Sequence, residues 1–159
     1  MNSKLFDKIY KAKCPQVGKV FAEVKPSIIK SLPIASAEKN QELLIENAVL
    51  EIQSKVSESS NLIRNLIKLI LSKFEIEKLS VNLQNWHKLE FKVFLKELKK
   101  ANVNLSLSGE AEWMDYFNDQ QKRVLILKNE INKSDKEIDR MVYELYGLTE
   151  EEIQIVENS

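Results

Sequence analysis

The chain has 159 residues, 43% of them hydrophobic and 30% charged, with only three Gly and three Pro. It is long enough to bury one ordinary core, and its scarcity of turn formers excludes a sandwich or barrel and favours long helices. The formal charge is zero, so the chain as a whole offers no electrostatic grip on nucleic acid or an anionic membrane. One Cys and one His exclude an internal disulfide and a zinc site of the usual Cys/His kind, and fit a reducing, cytoplasmic compartment. Charges interrupt every short apolar run at the N-terminus, so a signal-peptide core is absent and no segment has membrane-spanning length.

The front of the chain is basic. Lysines 4, 8, 11, 13, 19, 25 and 30 face only Asp7 and Glu23 within residues 1–35. Leu5, Phe6, Ile9 and Tyr10 share a helical face that Cys14, Pro15 and Gly18 bring to an end. Gly18 to Val24 (GKVFAEV) is β-branched, aromatic and partly alternating, so it reads as a strand stopped by Pro26. Ser27 to Leu32 fits one helical turn, closed by Pro33. Residues 1–35 therefore read as a small α/β unit, incomplete because a lone strand cannot satisfy its own backbone.

Helical patterning begins after Ser36, an expected N-cap, and continues to Phe74. Ile45, Val49, Ile52, Val56, Ser59, Ile63, Leu66 and Ile70 alternate steps of four and three, a heptad seam interrupted only at Ser59. A second seam runs through Trp113, Phe117, Gln120, Val124, Leu127 and Ile131. Antiparallel pairing would bury both stripes. Between them a helix is expected around Glu90 to Ala101, followed by a loop or edge strand over Asn102 to Ser108. Ser134 to Glu137 has the form of a capping box and predicts a new helix there. Its inner face would be Ile138, Met141, Val142 and Leu145, with Gly147 in the left-handed position that ends it. Thr149 to Glu152 forms a second capping box for a last helix carrying Ile153 and Val156 inward. The fold class is thus mainly α, a helical bundle with two long antiparallel heptad-patterned helices in residues 36–159.

Chemistry-bearing motifs are few. Gly18, Gly109 and Gly147 are too scattered for a phosphate-cradling loop, so no cofactor is expected, and His87 lacks a nucleophile to serve. Asp7, Glu23 and Lys25 superficially match the carboxylate and lysine set of a metal-dependent nuclease, but E-x-K triplets recur at Glu90 and Glu97. Lys19, Lys25, Ser27 and Lys30 are candidate donors to DNA phosphates.

The stretch DKEIDRMVYELYGLTEEEIQIVE, Asp135 to Glu157, closely resembles the C-terminal end of adenine-specific DNA methyltransferases and fused restriction–modification enzymes of the type IIG class. Its core is I-D-x-x-V-Y-x-L-Y-G-L-T-x-x-E, Ile138 through Glu152. NSKLFDKIY and GKVFAEVKPSIIKSLPI look like the last part of the target-recognition domain in those enzymes, and LEFKVFLKELKK and GEAEWMDYF resemble their closing helices. The resemblance covers nearly the whole chain. It implies a non-catalytic part of such an enzyme, acting on double-stranded DNA together with a methyltransferase domain or subunit. The catalytic Asn-Pro-Pro-aromatic motif and the S-adenosylmethionine glycine motif are absent from the sequence. Family members continue upstream of the position matching Asn2, so the chain looks like a C-terminal fragment or a split gene product. Two other functional classes compete: a protein-interaction module whose heptad seams dock on another chain, and the metal-dependent nuclease.

Overall fold

The computed structural model describes residues 3–13 and 26–158. Among them are seven α-helices and no strand: α1 (Lys4–Lys13), α2 (Pro26–Lys30), α3 (Lys39–Phe74), α4 (Val81–Gln84), α5 (Phe91–Lys100), α6 (Leu107–Leu145) and α7 (Glu150–Glu157), with one 3-10 turn at Trp86–Lys88. The expected mainly α architecture with two long helices is what forms. The predicted strand, Gly18 to Val24, lies outside the described residues.

The chain divides into two units, Met1–Glu51 with Lys133–Ser159, and Ile52–Asn132. In the second unit the heptad seams pack on each other in antiparallel fashion. Phe74 meets Trp113 with ring centroids 5.4 Å apart, and further along the pair Lys55 bridges to Glu130 at 3.3 Å. The sequence between these helices folds over the seam. Trp86, Phe94 and Phe117 are fully buried with Leu66, Ile70, Leu83, Leu98 and Val124. Their rings interlock, Phe94 to Phe117 at 4.8 Å and Trp86 to Phe117 at 5.6 Å. Phe117 therefore touches rings of both Trp86 and Phe94 in the inserted segment.

α4 and the 3-10 turn fall in a stretch where sequence patterning gave no helix. Ser80 caps α4, its hydroxyl accepting from Leu83 N–H at 3.2 Å and donating to the buried Glu97 carboxylate at 2.8 Å. Glu97 is 4% exposed. Lys100 pairs with it at 2.5 Å, and the Lys100 and Ser80 hydrogen bonds hold its pKa below the usual value against the cost of burial. Asn102 ends α5 with φ 62°, which lets Val103 N–H donate to Leu98 O at 3.0 Å.

α6 runs unbroken from Leu107 to Leu145, correcting the helix start expected at Ser134. The physical reason lies in the heptad: the steps from Ile131 to Ser134 to Ile138 are again three and four, so Ser134 occupies a seam position and is 8% exposed. A serine turned onto a packed face cannot cap. α3 begins at Lys39, three residues after Ser36. The preceding stretch is tied down elsewhere, with Pro33 O accepting from and Ala35 N–H donating to the same tyrosine hydroxyl. α5 matches the expected helix; of the loop or edge strand expected over Asn102 to Ser108, residues 102–106 form a loop without strand pairing, while Leu107 and Ser108 already belong to α6.

Candidate functional site

Most long-range polar bonding in the first unit converges on the closing stretch. Asp139 and Tyr143 stand four residues apart on one face of the last turns of α6, and Tyr146 follows three residues on, just past the helix end. Each reaches a different part of the N-terminal segment or the final helix.

Asp139 is 5% exposed, and its carboxylate accepts from the Lys4 backbone N–H at 3.0 Å. It thereby satisfies one of the donors that the first turn of α1 leaves without an intrahelical partner. Burial raises the Asp139 pKa above the usual carboxylate value, and the bond from Lys4 offsets this only in part. Tyr143 donates to Glu157 at 2.8 Å. Lys4 also donates to the Glu157 carboxylate from its ammonium group. Those two donors, Lys4 first, hold the Glu157 carboxyl below its ordinary value, and the bond to Glu157 in turn raises the Lys4 ammonium. Burial and then the Glu157 bond raise the Tyr143 hydroxyl, so it stays protonated well into alkali. Lys8 donates to the Ile155 carbonyl.

Tyr146 completes the set. Its hydroxyl donates to Pro33 O at 2.7 Å and accepts from Ala35 N–H at 3.0 Å, while its ring stands edge-on to Phe6 at 5.8 Å and 88°. α6 then stops. Gly147 takes φ 61°, and Leu148 N–H donates back to Tyr143 O at 3.0 Å. Thr149 opens α7 with the expected capping box, its hydroxyl accepting from Glu152 N–H at 3.3 Å and Glu152 accepting from Thr149 N–H at 2.9 Å. An open groove of about 370 Å³ lies between α1 and α7, with Lys4, Asp7, Lys8, Lys11, Val156 and Glu157 along it.

Of the residues singled out in the sequence, Ser27 and Lys30 are exposed on α2. Lys19, Lys25 and Glu23 lie outside the described residues. Asp7 is exposed on α1 and bridges to Lys11 one turn away at 2.5 Å. No group of His, Cys, Asp or Glu suited to a metal ion occurs among the described residues. His87 is half-buried beside Trp86, with ring centroids 6.0 Å apart. Asp139, Tyr143, Tyr146 and Glu157 were present in the sequence only as members of a string. The four-and-three spacing of Asp139, Tyr143 and Tyr146 was the sequence signal that they share a face; it did not reach Glu157.

Residues 36–142 match the family described as "Domain of unknown function (DUF8810)", and the chain belongs to that family. The matched span runs from the approach to α3 into the last turns of α6 and includes Asp139. No curated protein and no solved structure matches the chain. No helix among the described residues is long and apolar enough to cross a membrane.

Proposed function

We propose that this chain is a non-catalytic, DNA-directed part of a restriction–modification enzyme of the adenine-specific methyltransferase kind. In this role its closing stretch secures the end of a target-recognition region beside a helical spacer. The observation that supports the reading is how the recognisable motif is used. Asp139, Tyr143, Tyr146, Thr149 and Glu152 each have a hydrogen-bonding partner that holds helix ends or the N-terminal segment in place.

In this reading Lys19, Lys25, Ser27 and Lys30 contact the DNA backbone, which positions a protein without selecting sequence, and base readout belongs to the methyltransferase partner's side of the recognition region. The purified chain should therefore bind duplex DNA weakly at physiological salt by fluorescence anisotropy. Tight, sequence-selective binding by the chain alone would overturn the proposal. So would unchanged methylation when the chain is omitted from a reconstituted methyltransferase.

The competing reading, a module that docks on another chain through its heptad seams, is less favoured because most seam positions of the second unit are buried, among them Ser59, Leu66, Ile70, Trp113, Phe117 and Val124, with Val56 left exposed. A docking surface would have to use other positions, such as the exposed Leu43, Leu44 and Leu50 of α3. Self-association in sedimentation velocity would favour it.

A further inference from the structure

α5 has the sequence FKVFLKELKK, four lysines and one acid in ten residues. Lys92, Lys96 and Lys99 follow one another by four and three positions, so they stand on one face of the helix, with Lys100 at its border. All four are exposed. Phe94 and Leu98 take the opposite face and are 0% and 1% exposed within the aromatic core. The fold thus uses the apolar side of α5, and what the helix presents to solvent is positive charge.

The one acid of α5 does not balance that face. Glu97 is turned inward, where it accepts from the Ser80 hydroxyl at 2.8 Å and pairs with Lys100 at 2.5 Å. Lys99 approaches Glu110 of α6 at 3.9 Å. α4 packs against α5, but its sequence, VNLQ, brings no charge. Lys92 and Lys96 therefore have no ion-pair partner among the described residues. The core behind the helix fixes the spacing of the stripe, which runs about 10.5 Å along the axis from Lys92 to Lys99 at about 1.5 Å per residue.

We infer that the outer face of α5, with Lys92, Lys96 and Lys99, binds the phosphodiester backbone of a nucleic-acid duplex. Ammonium groups donate charge-assisted hydrogen bonds to phosphate oxygens. A duplex carries one negative charge per about 1.7 Å of its axis, so a stripe of this length meets several phosphates at once. An anionic membrane fits less well, because a helix that lies on a membrane buries an apolar face in it, and the apolar face of α5 is already inside the core. The contact is to the backbone and selects no sequence. None of Lys19, Lys25, Ser27 and Lys30 belongs to α5, and the inference stands whether or not the restriction–modification reading holds.

Fluorescence anisotropy of a short DNA duplex with the full chain, across a sodium chloride series, tests this. Three lysine contacts contribute about 2.7 to the slope of log affinity against log salt, at about 0.9 per phosphate. Lys92→Gln/Lys96→Gln should lower that slope by about 2 and weaken binding about tenfold at low salt. Lys92→Arg/Lys96→Arg keeps the charge and should bind as the unaltered chain does. Lys39→Gln/Lys136→Gln removes the same charge from exposed positions of α3 and α6 and should leave the slope as it was. Lys30→Gln leaves the α5 contribution in place, so this inference and the recognition-region reading fail separately. An unchanged slope in Lys92→Gln/Lys96→Gln, an equal fall in the Lys39→Gln/Lys136→Gln control, or lost binding in the arginine variant overturns the inference. So does equally tight binding to polyglutamate or to vesicles of equal parts phosphatidylserine and phosphatidylcholine, which would assign the face to acidic proteins or to a membrane surface.

Discussion

Replacing Tyr143 by Phe removes one oxygen from the closing stretch, and its consequence can be worked out from the contacts. The hydroxyl donates to Glu157 at 2.8 Å, and Tyr143 is 4% exposed. A hydrogen bond to a charged acceptor is worth about 1.5–3 kcal/mol when shielded. The Glu157 side chain is 39% exposed, so solvent screening brings the expected cost of Tyr143→Phe to about 1–2 kcal/mol. The Lys4–Glu157 pair is more exposed still, and Lys4→Met should cost under about 1 kcal/mol. A cycle of Tyr143→Phe, Glu157→Gln and the double variant, measured by urea unfolding, should give a coupling of about 1 kcal/mol at neutral pH. The pH dependence has a definite sign. The folded pKa of Glu157 is depressed, so its contribution is complete above the unfolded value of about 4.5 and disappears as pH falls through the folded pKa. Asp139 works in the other direction: its folded pKa is raised, so the stability it adds is present in acid and is lost as pH rises through that value. Strict additivity of Tyr143→Phe and Glu157→Gln at neutral pH would refute the reasoning.

Three further outcomes follow from the packing. Phe117→Ala, at a fully buried ring in contact with Trp86, Phe91 and Phe94, should cost about 3–5 kcal/mol, and a loss under 1 kcal/mol in a thermal or urea melt would mean that the aromatic cluster is misassigned. Thr149→Ala should cost about 1 kcal/mol through the lost cap, whereas Ser134→Ala, on a packed helix face, should cost less; the reverse order by differential scanning calorimetry would restore Ser134 as a helix start. Gly147→Ala places a Cβ at φ 61° in open space, so the cost is backbone strain of about 1 kcal/mol, visible as a lower urea midpoint without change in the slope.

How far the sequence could be read depended on whether a pattern had one meaning. The seams through Ile63, Leu66 and Ile70 and through Trp113, Phe117 and Val124 repeat often enough to fix both long helices and their faces. Ser134 and Thr149 show the limit of a local motif. Both begin an S/T-x-x-E string, but the heptad continues through the first, and Gly147 breaks the helix just before the second. Ser36 failed as a cap for a reason no local window contains, since the segment before it is held by Tyr146 more than a hundred residues away. The 3-10 turn at Trp86 also depends on distant partners, Ile63 and Gln121, which supply its hydrogen bonds.

The closing motif was legible as a string and as a helix, turn and helix. Its use was not, because the partners of Asp139 and Tyr146 are backbone groups at Lys4, Pro33 and Ala35, which carry no side-chain signature. A backbone donor or acceptor is available at nearly every residue, so sequence alone cannot say which one a buried carboxylate or hydroxyl will take.

The central claim is that residues 139–157 hold the N-terminal helix in place. α1 has ten residues, and a helix of that length is marginal in water without tertiary support. Amide hydrogen exchange across Lys4–Lys13 tests this directly, comparing the unaltered chain with an Asp139→Ala/Tyr143→Phe variant and using the α5 amides as an internal reference. The account predicts that α1 loses its protection in the variant while the reference amides keep theirs; equal protection of α1 in both proteins would contradict it.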